Sequence, residues 1–334
     1  MEKKKLTINE IAKKANVSIA TVSRIINGKK NVKPDTEQNV MNVIAQLEKE
    51  YGLDNRFLNR TNPFILVVAE FDSPVLNDFA AGVQKKIFNR GYHVITIDYS
   101  KYRVNLLSEI NYLAKNIPIS GIIMLNNYEP VSDIESFTNR FPVVTAYTDS
   151  SSSKISLITI DDYLAGQTVA NHILSLGCEN IVLLAINDTF SFSRLRQKGI
   201  LGTITQAGIT IPEYNLIHLP GFDFDIASSL LRQRFQENGK PDAVIGINDA
   251  LAAIAIRESK RFGYRVPEDI LIAGFDNAEI STLTTPNLTT INQKSYHIGM
   301  QAANMILNTL EHPKQPVQHI VLQGELIVRE STLR

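Results

Sequence analysis

From Phe64 onward, apolar runs of strand length alternate with segments of helical periodicity. The predicted strands span residues 64–69, 93–98, 121–125, 143–147, 181–186, 243–248 and 270–276. The predicted helices span about 80–90, 106–115, 165–176, 195–206, 226–236, 250–262 and 298–310. This alternation is typical of βαβ units with parallel strands that are buried on both faces. Because one open sheet would need many strands, we predict two doubly wound α/β subdomains.

Length and composition leave room for a further module. The chain has 334 residues, more than one hydrophobic core usually holds, and 44% of them are hydrophobic. No run of about 18 apolar residues occurs, and no apolar segment follows the lysine-rich start, so we expect neither a membrane span nor a signal peptide. The single cysteine, Cys178, cannot form an internal disulfide and fits a reducing compartment. We therefore expect a cytoplasmic protein.

The zero net charge conceals an asymmetry between the two ends of the chain. Residues 1–60 carry 12 Lys and Arg against 7 Asp and Glu, whereas the rest carries 22 against 27. A basic segment on an acidic body suits a module that binds a polyanion. The alternative is a solvated basic tail, which a run such as Lys3, Lys4 and Lys5 often forms.

Residues 6–16 predict a short first helix that ends in a tight turn. Thr7 is a suitable N-cap, and Glu10 stands at the capping-box position three residues later. The apolar face of this helix consists of Ile8, Ile11, Ala12 and Ala15. Asn16 tolerates the left-handed backbone that a tight turn needs, and Val17 can fill the angle between two helices.

A second helix follows from Ser18, which is a suitable N-cap. Its buried face is predicted to hold Val22, Ile25 and Ile26, and its outer face holds Ile19, Ala20, Thr21, Ser23 and Arg24. Small apolar side chains can touch a thymine methyl, and an arginine can reach guanine or phosphate. A third helix that starts near Pro34 would close a small core with Val40, Val43, Ile44 and Leu47. The arrangement predicts a helix-turn-helix DNA reader, the alternative being an ordinary amphipathic surface helix.

Residues 6–27, LTINEIAKKANVSIATVSRIIN, resemble the DNA-binding headpiece of LacI/GalR-type repressors. The resemblance implies that Ile19, Ala20 and Arg24 touch bases. It also implies that Thr21, Ser23 and Asn27 lie near phosphates, and we add Thr7 and Ser18 to the DNA-binding candidates. Asn16 replaces the more usual glycine. The headpiece is predicted to span residues 1–50, with double-stranded DNA as its partner.

The same resemblance implies a hinge over residues 51–62. In the family this segment forms a helix on DNA and drives a leucine into the minor groove. If Asn55 is aligned with the hinge asparagine, Thr61 takes the position of the wedge, and Leu58 becomes the alternative wedge. A plain linker with solvated polar side chains is the competing interpretation.

Polar residues recur where the predicted strands end. With the aromatic residues beside them, they are Phe71, Asp72 and Ser73, Asp98 and Tyr99, Asn126 and Asn127, Tyr147 and Asp149, Asn187 and Asp188, Asn248 and Asp249, and Phe275 and Asp276. Open α/β sheets bind ligands beyond the carboxyl ends of their strands. Carboxylates and amides there suit a polyhydroxylated ligand, although any one residue could instead cap a helix. For Asp249, directly before an apolar helix, capping is the favoured interpretation.

The resemblance extends over the rest of the chain. Residues 246–255, 266–277, 286–293 and 328–332 match core motifs of the LacI/GalR family. It implies a periplasmic-binding-protein-like core over 63–334. Its N-subdomain would comprise about 63–160 and 293–323, and its C-subdomain about 161–292 and 324–334. A small effector, a sugar or a sugar derivative, would bind between them in a homodimer.

Ten residues are predicted to contact the effector: Phe71, Asp72, Ser73, Asn126, Tyr147, Asp149, Arg196, Phe222, Asn248 and Asp276. By family position, Arg196, Asn248 and Asp276 would hold hydroxyls or charge, and Phe222 would stack on a sugar face. Tyr147 stands where a sugar-binding relative has an acidic residue, with Asp149 nearby. The alternatives are that Arg196 is a surface arginine and that Phe222 belongs to the core.

Signatures of catalysis are missing from the sequence. There is no P-loop, no glycine-rich dinucleotide fingerprint and no G-x-S-x-G elbow, and the six histidines do not fall at metal-ligand spacing. We expect no enzyme, cofactor or metal, but a ligand-gated repressor on a near-palindromic operator, acting on carbohydrate-utilisation genes. The alternatives are a sugar-metabolising enzyme or a sugar-binding protein with a fused headpiece.

Overall fold

A computed structural model describes residues 6–26, 32–51, 64–69, 75–98, 106–125, 131–148, 152–187 and 190–333. Three helices come first: α1 (Ile8–Ala15), α2 (Ile19–Ile26) and α3 (Pro34–Glu50). Their apolar faces form a separate small core of Leu6, Ile11, Ala12, Ala15, Val22, Ile25, Val40, Ile44 and Leu47. The predicted third helix is confirmed, with Pro34 in its first turn, where the missing N–H is harmless.

The next elements alternate strands and helices as predicted. They are β1 (Phe64–Ala69), α4 (Leu76–Phe88), β2 (His93–Asp98), α5 (Leu106–Asn116), β3 (Ile119–Leu125), α6 (Val131–Thr138), β4 (Val143–Ala146) and β5 (Ser156–Ile160). The central strands β1 and β3 are almost wholly buried, which explains their continuous apolar sequences.

A second alternating series follows. It comprises α7 (Asp162–Ser175), β6 (Ile181–Ile186), α8 (Ser191–Gln206), β7 (Leu216–Leu219), α9 (Phe224–Asn238), β8 (Ala243–Gly246), α10 (Asp249–Arg261), β9 (Leu271–Asp276), α11 (Ile280–Leu283) and β10 (Thr289–Asn292). The chain then continues through α12 (Ser295–Glu311), β11 (His319–Leu322) and β12 (Glu325–Ile327).

The strands form two six-stranded sheets. The first has the order β11-β5-β4-β3-β1-β2 and is parallel throughout. The second has the order β12-β10-β9-β8-β6-β7, with only β12 antiparallel to its neighbour. We call the first sheet with α4, α5, α6 and α12 the N-lobe, and the second sheet with α7 to α11 the C-lobe. The predicted architecture of two doubly wound units is confirmed.

The chain passes between the two sheets three times, after β5, after β10 and after β11. Two of these crossings are joined by an ion pair of 3.2 Å between Lys294 Nζ and Glu325 Oε2. The backbone N–H of Asp161 in the first crossing donates to the Leu322 carbonyl at 2.8 Å. The crossings therefore lie side by side, at one place between the sheets.

All seven predicted strands are present, with ends that differ by at most two residues. The predicted helices are also present, and several begin earlier than their apolar periodicity suggested. The sequence analysis missed β5, β7, β10, β11 and β12. These strands are three to five residues long and include polar residues, so the alternation in them is too brief to detect.

The structure also shows the surroundings of the single cysteine and the character of the helices and of the metal-ligating residue types. Cys178 is buried, as a structural cysteine should be. Over the ranges given above, no helix is long and apolar enough to cross a membrane. In the same ranges, no group of three or more His, Cys, Asp or Glu side chains is arranged to hold a metal ion.

Candidate functional site

The first helix begins with the capping box that the sequence predicts. The Thr7 hydroxyl accepts from the Glu10 backbone N–H at 3.3 Å, and the Glu10 carboxylate accepts from the Thr7 N–H at 3.0 Å. These bonds satisfy donors that a helix N-terminus would otherwise leave unpaired. Thr7 therefore has a local structural role, and its side chain is exposed.

The turn between α1 and α2 is the expected left-handed one. Asn16 has φ 53° and ψ 46°, and the N–H of Val17 donates to the Ala12 carbonyl at 3.0 Å. Ser18 then caps α2, since its Oγ accepts from the Thr21 N–H at 3.0 Å. The three elements together form a helix-turn-helix.

The second helix presents an uncovered face. Ile19 is 55% exposed, which is unusual for a large apolar side chain, and Ala20 and Arg24 are exposed beside it. Thr21 and Ser23 are half-buried at the edge of this face. Arg24 makes no ion pair or hydrogen bond with any part of the chain that the structure describes. The opposite face holds Val22 and Ile25, both buried.

The predicted sites lie only partly within the described residues. Outside them lie the DNA-binding candidates Asn27, Asn55 and Leu58 and the effector candidates Phe71, Asp72, Ser73, Asn126 and Asp149. The remaining effector candidates are Tyr147, Arg196, Phe222, Asn248 and Asp276, all of which the structure describes.

Arg196 lies at the centre of a polar cluster at the carboxyl ends of the C-lobe strands. Its Nε donates to Asp162 Oδ1 at 2.8 Å, and its Nη1 donates to the Ile247 carbonyl at 2.7 Å and to Asp276 Oδ1 at 3.2 Å. The guanidinium also lies over the ring of Phe275, 4.7 Å from its centroid. With 2% of its surface exposed, Arg196 is not a surface helix arginine, so that alternative was wrong.

Close helix packing brings Arg196 to this position. A Cβ atom on Gly166 would lie 2.3 Å from the carbonyl oxygen of Arg196, and one on Gly199 would lie 2.2 Å from that of Tyr163. Only glycine allows α7 and α8 to approach this closely. The contact places Asp162, in the first turn of α7, beside the guanidinium of Arg196.

Asp276 and Gln293 complete what we call the Arg196 cluster, made of Asp162, Arg196, Asp276 and Gln293. The amide Nε2 of Gln293 donates to Asp276 Oδ1. Burial raises the pKa of Asp276 to about 6, although the Arg196 charge opposes this shift. Gln293 is 3% exposed, and its Oε1 has no hydrogen-bond partner within the described residues. Such an acceptor is costly to bury unless a ligand or water pairs with it.

The residue that caps α10 is Asn248, one position before the predicted Asp249. Asn248 is the N-cap, and its Oδ1 accepts from the Leu251 N–H at 2.9 Å. The capping interpretation of Asp249 was therefore wrong. Asp249 lies in the first turn, is fully buried, and accepts from Thr290 Oγ1 at 2.6 Å and from the Ala278 N–H at 2.8 Å. Burial, with the nearby Asp276 charge, raises its pKa to about 8.

Tyr147 directly follows β4, and its side chain is hydrogen-bonded to Ser295, the first residue of α12. Its φ is 56°, and its hydroxyl donates to Ser295 Oγ at 2.9 Å. The side chain is buried, and burial raises the pKa of its hydroxyl well above the usual value. An uncharged phenol takes the place of the acidic residue, so this position supplies no carboxylate.

Phe222 is half-buried, and its ring packs edge-on against Phe190 with centroids 5.3 Å apart. Phe192 packs against Phe190 as well, 5.7 Å away, and the guanidinium of Arg196 lies over the Phe192 ring at 5.1 Å. Phe222 therefore borders the core without being enclosed by it. This aromatic group lies next to the Arg196 cluster.

Comparison with known proteins agrees with this architecture. Residues 7–48 match the model of bacterial regulatory proteins of the lacI family, and residues 170–332 match a periplasmic-binding-protein-like domain. The chain belongs to the LacI family. It is a transcriptional regulator with a helix-turn-helix domain followed by a periplasmic-binding-protein-like core.

Similar proteins match this LacI-family chain over nearly its full length. The HTH-type transcriptional regulator DegA of Bacillus subtilis (strain 168) is 29% identical over 98% of both chains. The fold resembles that of a lac repressor dimer bound to operator and the anti-inducer ONPF, at 22% identity and a TM-score of 0.72, covering 99% of this chain and 100% of that one. It also resembles a complex of the regulator CelR with cellobiose, at 23% identity and a TM-score of 0.70, covering 98% and 100%.

Sequence reasoning missed several residues of this LacI-family site. Asp162 lies just before the predicted helix of residues 165–176 and received no role. Gln293 lies in a family motif but received no role. Thr290 and Asp249 lie 41 residues apart, and nothing in the sequence shows that their side chains meet. The only sequence signal at Asp162 is the carboxylate pair Asp161-Asp162 after residues 156–160, which form a strand too short to be predicted.

Proposed function

We propose that this LacI-family protein represses carbohydrate-utilisation genes and that a neutral polyhydroxylated effector controls its affinity for an operator. The effector would bind between the lobes, against the Arg196 cluster. Among the similar structures, one regulator is in complex with cellobiose and another is bound to an operator. These relatives support the class of ligand, and the geometry of the cluster supports its chemistry.

The proposal is supported by two donors and one acceptor that lack hydrogen-bond partners within the described residues, in the Arg196 cluster and in Asn248. Gln293 Oε1 is an acceptor without a partner among the described residues. Arg196 Nη2 and Asn248 Nδ2 are donors that make no hydrogen bond there either. A hydroxyl group both donates and accepts, so adjacent hydroxyls can satisfy both kinds of atom. The carboxylates of Asp162 and Asp276 disfavour a phosphate in the same place.

We assign the effector contacts on this basis. Within the described residues they are Tyr147, Arg196, Phe222, Asn248 and Asp276, to which we add Gln293. Phe222 would lie against an apolar sugar face, as aromatic rings commonly do in such sites. The predicted contacts of Phe71, Asp72, Ser73, Asn126 and Asp149 remain predictions from the sequence.

We propose that the exposed face of α2 contacts DNA and recognises its sequence. Ile19, Ala20 and Arg24 would contact base edges, and the half-buried Thr21 and Ser23 would contact phosphates. The unpartnered Arg24 and the exposed Ile19 support this proposal. Asn27 near phosphate and Asn55 and Leu58 in a hinge are sequence predictions. Because its proposed target is operator DNA, we propose that the protein acts in the cytoplasm.

A homodimer is our proposed assembly, because two headpieces can then read a near-palindromic operator. The C-lobe supports this proposal with exposed apolar residues on α9 and α11. They are Phe224 at 47%, Ile226 at 39%, Ile280 at 39% and Leu283 at 68% exposed. Ile280 and Leu283 lie three residues apart on α11 and so share one helix face, and an exposed apolar pair of this kind can form part of a protein interface. We also propose the domain boundaries that the sequence predicts. The headpiece would end at about residue 50 and the hinge at about residue 62, and the two subdomains of the core would meet at the three crossings.

The operator proposal is tested by selecting the fragments of random DNA that the full chain binds. We expect the selected sequences to share a near-palindrome with two half-sites.

A thermal-shift screen of mono- and disaccharides and their phosphates tests the effector, because a ligand well above its Kd stabilises the folded protein by a few kcal/mol. We expect a neutral sugar to raise the melting temperature and its phosphate ester to have less effect. Steady product formation from any sugar would instead support an enzyme.

A further inference from the structure

Two successive residues at the end of β9 have left-handed backbone. Asp276 has φ 108° and Asn277 has φ 52°, and neither is glycine. Side chains with a Cβ rarely adopt such values, and they do so where the surrounding structure holds them. Asp276 is also the residue whose carboxylate meets Arg196. The backbone conformation therefore decides where this carboxylate points.

A small set of buried groups holds this turn. The N–H of Asn277 donates to Thr290 Oγ1 at 3.2 Å, and the N–H of Ala278 donates to Asp249 Oδ2 at 2.8 Å. The Thr290 hydroxyl in turn donates to Asp249 Oδ1 at 2.6 Å. Two consecutive N–H groups of the turn are thus bound by one hydroxyl and one carboxylate that are also bound to each other.

Asp249 is enclosed beneath the turn. Its surface is 0% exposed, and so is that of Thr290. A Cβ atom on Gly274 would lie 2.6 Å from Asp249 Oδ1, so β9 has no room for a side chain at that position. Asp249 and its hydroxyl partner therefore lie behind the Arg196 cluster, where an effector in the cleft would not touch them.

We propose that Asp249 is a positioning residue which, through Thr290, holds the turn of Asp276 to Ala278 and aims the Asp276 carboxylate at Arg196 and the effector. The inference rests on the proposed function, because its functional consequence is the response to effector. It assigns Asp249 a task that neither helix capping nor ligand contact describes. The other groups on the turn are the Arg329 guanidinium, which donates to Asn277 Oδ1, and Gln293, which donates to Asp276.

Two substitutions separate this task from general folding. Above about pH 8, the raised pKa of Asp249, its carboxylate is ionised and accepts from both Thr290 Oγ1 and the Ala278 N–H. The variants are therefore compared above that pH, where Asp249→Asn preserves size but offers one acceptor instead of two, so one of the two accepted bonds is lost. Thr290→Val preserves the shape of the side chain and removes the hydroxyl that joins the turn to Asp249. Thr290→Ser is the matched control, because it retains that hydroxyl.

Crystal structures of the three full-length variants without ligand test the geometry directly. We expect Asp276 to leave the positive-φ region, or its carboxylate to leave Arg196, in Asp249→Asn and Thr290→Val. The Thr290→Ser structure should retain the contact between Arg196 and Asp276. If both disruptive variants retain the wild-type φ and the wild-type contact, the inference is wrong. If Asp249→Asn does not fold, Thr290→Val alone decides it.

Release from operator DNA supplies the functional test, with cellobiose, D-ribose and D-xylose as probes. For a probe that releases the wild type, half-release in Asp249→Asn and Thr290→Val should need at least about tenfold more sugar. Operator affinity without sugar should stay within about twofold, since that change is below half a kcal/mol. If the variants lost operator affinity by the same factor as they lost sensitivity to sugar, the positioning role would be overturned. If no sugar released the wild type, the proposed effector class would fail, and the crystal structures would still decide this inference.

Discussion

The helix-turn-helix and the Arg196 cluster are both polar sites, but they are assembled in opposite ways. In the headpiece, the cap, the turn and the reading face all lie between Thr7 and Ile26, and the capping contacts join residues three apart. In the cluster, Arg196 meets residues that lie 34 and 80 positions away. A site made of local contacts can be seen in the sequence, whereas one made of distant contacts depends on the order of the strands.

The same residue type shows the difference most clearly. Arg24 is exposed, without an ionic partner among the described residues, and therefore available to an outside ligand. Arg196 is buried, with two carboxylates and a carbonyl around it. Removing Arg24 should thus affect binding alone, and removing Arg196 should affect folding and binding together. The predictions below test this contrast.

The largest effect is expected for Arg196→Met. The variant leaves the carboxylates of Asp162 and Asp276 buried without their cation, which should lower the free energy of unfolding by about 3–5 kcal/mol. Urea denaturation of the full chain, followed by circular dichroism, measures this change. Lys198→Met on the same helix is the control, because its side chain is exposed and its loss should cost at most about 0.5 kcal/mol. Equal stability of the two variants would contradict the contrast.

This contrast also explains what could be predicted from sequence. The cap at Thr7, the left-handed Asn16 and the apolar stripes of α1, α2 and α3 follow from short spacings, and each is present. The long buried strands were predictable for the same reason. The role of Asp249 was not, because it depends on Thr290 from a strand too short and too polar to detect.

A smaller effect, confined to DNA, is expected for Arg24→Ala. Operator affinity should fall by about 1–3 kcal/mol, and discrimination at one base position should relax. Stability should stay within about 0.5 kcal/mol of wild type, because the side chain has no internal partner in the described region. Fluorescence anisotropy with operator variants measures both affinity and discrimination. Unchanged affinity would remove Arg24 from the reading face.

The pH dependence of stability should reveal the buried carboxylates of the C-lobe. Their pKa values are raised in the folded chain, to about 6 for Asp276 and about 8 for Asp249, from 3.8. The folded state therefore binds more protons than the unfolded state between these values, and stability should fall as pH rises from about 4 toward 8. Above pH 6 the slope should approach about 1 kcal/mol per pH unit, mainly from Asp249.

Asp249→Asn should flatten this profile above pH 6, since the substituted amide does not titrate. Thermal denaturation at several pH values measures the profile, with Asp269→Asn as the control. Hydrogen bonds from Arg265 hold the pKa of Asp269 far below its usual range, so that control should leave the profile above pH 6 unchanged. A wild-type profile that matches the Asp249→Asn profile between pH 6 and 8 would show that Asp249 is already ionised in the folded protein.

The central claim is that operator binding and effector binding belong to separate sites that are coupled. The most direct measurement is the operator affinity of Asp276→Asn, titrated by fluorescence anisotropy with and without a sugar that releases the wild type. Without sugar, we expect the affinity of Asp276→Asn to stay within about twofold of wild type, since the headpiece is unchanged. We also expect that added sugar no longer shifts that affinity. Retention of the full sugar response, or loss of operator binding without sugar, would contradict the central claim.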